Sequence, residues 1–131
     1  MPSIFSKIVS GELPCYRVAE TDAFLAFLDV RPMVEGHVLC IPKREVDYFF
    51  DLPDEELTAL MLFAKRVAAA VRSSVPCERV ALGVLGLEVP HAHVHLVPVS
   101  VAEDFRFGKH QAFRPEELAH TAERIARAMV G

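Results

Sequence analysis

The sequence predicts an α+β fold, a mix of antiparallel strands and helices closed around one core. Two stripes of apolar residues at helical spacing carry the α part: Leu57, Leu60, Met61, Ala64, Val67, Ala68 and Val71, then Leu118, Ala122, Ile125 and Met129. Short apolar runs bounded by Gly, Pro and turn residues carry the β part, and two of them sit close enough in sequence to form a hairpin. A length of 131 residues fits a single domain over 1–131.

The elements follow in order. Residues 4–10 read as a short helix stopped by Gly11, the residue best suited to a left-handed C′ position. Pro14 hands over to a strand over 15–19, Thr21-Asp22 makes a turn, and 23–28 returns as its hairpin partner. The stretch 29–36, with Pro32 and Gly36, is a loop, and 37–41 is a short strand closed by Pro42. A long helix spans about 53–73. Pro53 suits its first turn, and Asp54, Glu55 and Glu56 there complement the helix dipole. Strands are expected over 80–85 and 92–99, a loop over 103–113, and a second helix opening at Pro115 with Glu116 and Glu117.

Composition narrows the function. A hydrophobic content of 52%, 24% charged residues and nine Phe belong to a soluble globular chain and not to a disordered one. A net charge of −4 gives no basic footprint, so neither DNA nor RNA is an expected partner, and any phosphate must be held locally. Cys15, Cys40 and Cys77 are odd in number and widely spaced, which argues against a disulfide framework and for a reducing cytoplasm. The N-terminus lacks the apolar core of a signal peptide, and the longest apolar run, 80–87, is too short to span a bilayer.

One segment concentrates chemistry. In Val89-Pro90-His91-Ala92-His93-Val94-His95-Leu96-Val97-Pro98 three histidines alternate with apolar residues. On a strand this places all three imidazoles on one face, roughly 6.5–7 Å apart, and sends Ala92, Val94 and Leu96 into the core. The imidazoles are expected on the exposed face. Two chemistries suit such a row. Imidazoles on one strand can ligate zinc, although no further ligand segment is evident. Alternatively a neutral imidazole can attack phosphorus while its neighbours hydrogen-bond phosphoryl oxygens and serve the leaving group.

The row and its flanks resemble the histidine triad (HIT) family of nucleotide hydrolases and transferases. The likeness extends to Ile4-Phe5-Ser6-Lys7-Ile8-Val9-Ser10-Gly11-Glu12-Leu13-Pro14-Cys15, to Phe24-Leu25-Ala26-Phe27-Leu28-Asp29-Val30-Arg31-Pro32, to Gly36-His37-Val38-Leu39-Cys40-Ile41-Pro42-Lys43 and to Leu52-Pro53-Asp54-Glu55-Glu56-Leu57. Collinear matches cover about residues 3–98; the C-terminal third is less characteristic. The resemblance implies a five-stranded antiparallel sheet with one long and one C-terminal helix. It also implies a homodimer joined through the long helix and a strand.

The resemblance further implies a reaction. His93 would attack the α-phosphate and form a nucleotidyl-histidine intermediate, His95 would hydrogen-bond the bridging atom of the leaving group, and His91 would help order the site. His37 falls on the family's additional active-site histidine. Asp29 falls on the carboxylate that accepts both ribose hydroxyls, and Ile4, Phe5, Phe27 and Val30 would sandwich the base. Gly86 and Glu88 fall beside the phosphate. His110 and His120 receive no role. Three histidines on a short chain resemble the Hint-type and bacterial hydrolases of purine nucleoside phosphoramidates and related nucleoside phosphate esters and anhydrides.

The match departs from the family before the triad. Where an Asn, a Gly-containing loop and Ala-Gly-Gln are usual, this chain reads Val80-Ala81-Leu82-Gly83-Val84-Leu85-Gly86-Leu87-Glu88. Gly86 aligns, but Leu87 replaces Gln and no Asn is present, which removes hydrogen-bond donors to phosphate. A second reading is therefore a nucleotide-binding module with weak or no turnover. Ser3 and Ser6 occupy the spacing of a Cys-x-x-Cys zinc pair found in many members, so neither structural zinc nor another cofactor is expected.

Overall fold

The computed structural model describes residues 2–129, and its secondary structure begins with a capped turn of helix. Ser3 precedes α1 (Ile4–Val9), and its side chain accepts the Ser6 N–H, satisfying one of the helix's free donors. Strands β1 (Arg17–Glu20) and β2 (Phe24–Leu28) form the expected hairpin, and β3 (Val38–Pro42) follows the loop that ends at Gly36. A single turn of 3-10 helix, Phe49–Asp51, leads into α2 (Asp54–Ser74). Strands β4 (Arg79–Gly83) and β5 (Val94–Val99) come next, then α3 (Pro115–Ala128), with Pro115 in its first turn.

The strands form one antiparallel sheet in the order β1-β2-β3-β5-β4. Alternation along its strands separates two apolar layers. Phe24, Ala26 and Leu28 of β2, Val38 and Cys40 of β3, and Val94 and Leu96 of β5 pack against Leu60, Phe63, Ala64, Val67 and Val71 of α2 and Leu118, Ala122 and Ile125 of α3. The Phe24 and Phe63 rings stack there at 5.5 Å. On the opposite face Leu25, Phe27, Leu39 and Ile41 form a smaller layer under Phe5 of α1. His95, flanked by Val94 and Leu96, must emerge on this second face, because a one-residue step changes sides.

Three boundaries differ from expectation. The last β5 strand begins at Val94, not 92, because pairing with β3 ends at Cys40↔Val94. Upstream, the His91 N–H turns back to the Val89 carbonyl and the Ala92 N–H reaches the Val46 carbonyl. His91 and His93 therefore sit on an extended lead-in beside Pro90 and not in the ladder. Pro42 belongs to β3, opposite Phe24, and does not close it. Met129 lies just beyond α3 yet still packs against the main core. Among the described residues no helix is long and apolar enough to cross a membrane.

Gly36 delivers the chain into β3. Its φ is +91°, and a Cβ there would lie 2.9 Å from Val75 Cγ2 and 3.2 Å from Pro98 Cγ. Both the backbone conformation and the space are reserved for glycine. Gly36→Ala is expected to lower the unfolding free energy by about 2–4 kcal/mol, summing left-handed strain and overpacking, as read by urea denaturation.

Candidate active site

The lead-in and β5 bring the three histidines side by side, with the His93 and His95 ring centroids 5.0 Å apart. The expected exposed face is corrected here: His91 is 0%, His93 7% and His95 9% accessible. Phe5 of α1 stands edge-on to His91 at 5.8 Å and to His93 at 5.1 Å, and Phe107 stands edge-on to His95 at 5.0 Å. The His93 and His95 imidazoles thus line a cleft of about 500 Å³, and His91 lies buried behind it. Gly83, paired with His95 across the sheet, makes room for part of this cover: a Cβ there would meet Phe105 Cζ at 2.5 Å. Phe105 in turn supports Phe107, centroid to centroid 5.3 Å.

Hydrogen bonds assign each ring's protons, because a backbone N–H only donates and a carbonyl only accepts. His93 Nδ1 lies 2.7 Å from the His91 carbonyl, so Nδ1 carries the hydrogen and Nε2 keeps its lone pair. The Met33 N–H donates to His37 Nδ1 at 3.0 Å, so His37 Nε2 carries the hydrogen and donates to His95 Nδ1 at 2.9 Å. His95 is then protonated on Nε2. Among the described residues no sealed side-chain nitrogen or oxygen lacks a partner. His93 Nε2 and His95 Nε2, which have none in the protein, are therefore open to solvent in the cleft that both residues line. One presents a lone pair and the other an N–H.

Burial keeps this chain of rings uncharged. Desolvation pulls His37 down to about 3, helped by His95, and pulls His95 down to about 4, helped by His93. His93 is lowered as well, by burial, against an opposing pull from its bond to the His91 carbonyl. Asp29 moves the other way: burial raises its carboxyl, although it accepts the Arg31 N–H at 2.9 Å. Its second oxygen stands 3.8 Å from His37 Nε2.

The fit to a metal ion can be tested on these protons. Asp29, His37 and His95 bring one oxygen and two ring nitrogens within 4.8 Å of one another. The Met33 N–H occupies the lone pair of His37 Nδ1, which leaves the hydrogen on Nε2, the nitrogen that faces the cluster. A metal needs a lone pair there, so the set does not fit a cation. Ser3 and Ser6, at the spacing of a Cys-x-x-Cys pair, offer only hydroxyls, already engaged with His91 and Glu45.

Of the other residues singled out from sequence, Ile4, Phe5, Asp29, Val30, His37, Gly86 and Glu88 all line the cleft with His93 and His95. Ile4 and Val30 stay more than half exposed, at 51% and 60%, although both are aliphatic. His91 and Phe27 are not part of the lining; Phe27 is core, packed edge-on behind Phe5 at 5.5 Å. The cleft also draws on residues that sequence reasoning left out. Phe107, Gly108, Lys109 and His110 come from the aperiodic stretch after β5, and His110 anchors it by its Nδ1–H to the Arg31 carbonyl at 2.9 Å. An aromatic residue, a glycine and two basic residues in succession were the available signal. His120 stays exposed on α3, away from the cleft.

The HIT-domain family model matches residues 10–101, most of the chain and all three histidines. The chain belongs to the HIT family. Over 130 residues it is 33% identical to the adenosine 5'-monophosphoramidase of Schizosaccharomyces pombe, covering 96% of this chain and 97% of that protein. Over 96 residues it is 42% identical to the adenosine 5'-monophosphoramidase of Saccharomyces cerevisiae, covering 72% of this chain and 61% of that protein. Among solved structures, a HIT-like protein of Bartonella henselae superposes with a TM-score of 0.84 at 27% identity, covering 96% of this chain and 95% of that one. The five-stranded antiparallel sheet with its helices is thus the HIT fold, as the resemblance implied.

The buried neutral histidines of this HIT domain give its stability a pH dependence. A group with a depressed folded-state pKa binds fewer protons in the native state, so its stabilising effect is complete above the unfolded value near 6.5 and is lost as pH falls. Between pH 7 and pH 5 His37, at about 3, should remove on the order of 2 kcal/mol, and His95 acts in the same direction. Unfolding free energies across that window should fall steeply for the wild type and less steeply for His37→Asn. An equal slope in both would mean that His37 is not held neutral by burial.

Proposed function

We propose that this HIT protein hydrolyses purine nucleoside phosphoramidates, or related nucleoside phosphate esters and anhydrides, through a covalent nucleotidyl-His93 intermediate. The observation that carries the reading is the bond from His93 Nδ1–H to the His91 carbonyl, which aims an unprotonated Nε2 into the cleft. A neutral imidazole with a free lone pair is a competent nucleophile toward phosphorus. The bond between phosphorus and the leaving group breaks as His93 Nε2 bonds to phosphorus. His95, whose Nε2 carries a hydrogen, hydrogen-bonds the bridging atom where negative charge develops. Water then displaces His93 from phosphorus and releases the nucleoside monophosphate. The names of the two yeast relatives support adenosine phosphoramidates as the first substrates to try.

The remaining cleft suits a nucleoside. Asp29 presents acceptor-only oxygens suited to a pair of ribose hydroxyls. The exposed side chains of Ile4 and Val30, with Phe5 beneath, offer apolar surface to a purine ring. A weaker catalyst is the second reading, favoured by Leu87: it lines the cleft between Gly86 and Glu88, is 81% exposed and has no side-chain donor. A missing oxyanion donor typically costs about 2.7–4 kcal/mol of transition-state stabilisation.

Intact-mass analysis during turnover of an adenosine phosphoramidate should show an adenylylated protein. His93→Ala should abolish both adduct and turnover, a loss of at least about a thousandfold. Undiminished activity in His93→Ala would remove His93 as nucleophile. Tight AMP binding without turnover across a substrate panel would favour the binding module.

We also propose a cytoplasmic homodimer. Leu57, Met61 and Leu62 of α2 and Val80 and Leu82 of β4 line an apolar groove, and β4 is an edge strand with an unpaired side. Leu62 and Leu82 are 58% and 46% exposed, a surface that a second copy would bury. Leu62→Glu combined with Leu82→Glu should halve the sedimenting mass. A wild-type monomer at micromolar concentration would overturn this assembly.

A further inference from the structure

The reaction proposed above uses the His91 carbonyl and leaves its imidazole without a task. That ring is fully buried, does not line the cleft, and has a partner on each nitrogen. Nε2 lies 2.8 Å from the Pro42 carbonyl, a pure acceptor, so Nε2 carries the hydrogen. Nδ1 must then accept, and the Ser3 hydroxyl stands 2.8 Å away to donate. The Ser3 oxygen in turn accepts the Ser6 N–H at 3.0 Å, which fixes the direction in which its own proton points.

Glu45 ties this unit together from 42 residues away in sequence. Its Oε1 accepts the Ser3 N–H at 2.7 Å and the Ser6 hydroxyl at 2.6 Å. Ser6 Oγ also approaches His91 Nδ1, at 3.4 Å, but its proton is committed to Glu45. The Ser3 N–H, then the Ser6 hydroxyl, hold the Glu45 carboxyl down to about 2, so it is an ionised acceptor near neutral pH. The segment being held needs such an anchor. Residues 91–93 lie outside the sheet, with the His91 and Ala92 N–H groups bonded only to loop carbonyls.

We propose that Ser3, Ser6 and Glu45 form a brace that fixes the tautomer and position of His91 and, through the His91 carbonyl, aims the His93 ring at phosphorus. Ser3 and Glu45 are positioning residues: neither lines the cleft. The inference rests on His93 acting as the nucleophile. Without the Ser3 donor, only the Pro42 carbonyl still favours the hydrogen on Nε2, His91 Nδ1 stands unpaired in a buried site, and the carbonyl that orients His93 is held less firmly.

Four full-length variants test the brace: Ser3→Ala, Ser3→Thr, Glu45→Ala and Glu45→Gln. Thr keeps the hydroxyl and Gln keeps the acceptor oxygen. With an adenosine phosphoramidate, both Ala variants should lose about tenfold or more in kcat with KM within twofold of wild type, and Thr and Gln should restore kcat to within about threefold. A merely structural role would loosen α1, which carries Ile4 and Phe5 of the cleft wall, and would raise KM instead.

The second readout is nitrogen-15 NMR of the histidine rings in the ligand-free protein. Wild type should show His91 protonated on Nε2 and His93 on Nδ1, and both Ala variants should show mixed tautomers at His91. An unchanged His91 tautomer in Glu45→Ala, a surface change that leaves the core intact, would overturn the brace, as would unchanged kcat in both Ala variants. If His93→Ala kept its turnover, the nucleophile reading would fall by itself, and the ring spectra would still decide the brace.

Discussion

A hydrogen bond 2.7 Å long, from His93 Nδ1–H to the carbonyl of His91, sets what the rest of the site can do. It joins two residues of the same extended segment, so it is local, yet it survives only if that segment is held still. The segment is pinned at one end by β5 pairing with both β3 and β4, and at the other by the His91 ring between Pro42 and Ser3. Once the bond is made, the free nitrogen of His93 has only the cleft to face.

The two-layer sheet supplies the second requirement, a dry surround. Val94 and Leu96 anchor β5 in the main core, and His95, between them, is pushed to the other face among Phe5, Phe107 and the other imidazoles. In that setting charged rings are costly, and the histidines answer by bonding to one another and to backbone while staying neutral. The same burial that covers the row also determines its chemistry. A surface row would be protonated near neutrality part of the time; burial holds His93 and His95 below the ordinary imidazole range and so favours their uncharged form.

Much of this was legible in the order of residues. The alternation of His with Ala92, Val94 and Leu96 fixed the shared face, because strand parity is a local property of the backbone. The helical stripes located α2 and α3 to within one or two residues for the same reason. Phe27 was less legible: from sequence it is one more aromatic beside the site, and only packing shows that Phe5 stands between it and the cleft. Lys109 and His110 offered only the local run Phe107-Gly108-Lys109-His110, since the stretch that carries them has no period and gains its place from bonds to Arg31 and Pro32 far away in the chain.

What the sequence determined by itself was everything set by periodicity and by family pattern: the α+β class, the elements, the single face of the histidine row and membership of the HIT family. Tertiary structure alone decided how exposed that row is, which nitrogen of each ring holds a proton, and which distant residues reach it. Those outcomes depend on contacts such as Met33 with His37, Ser3 with His91 and Phe107 with His95. Burial and proton placement are sums over neighbours brought together by folding, and no window of the linear chain contains those neighbours.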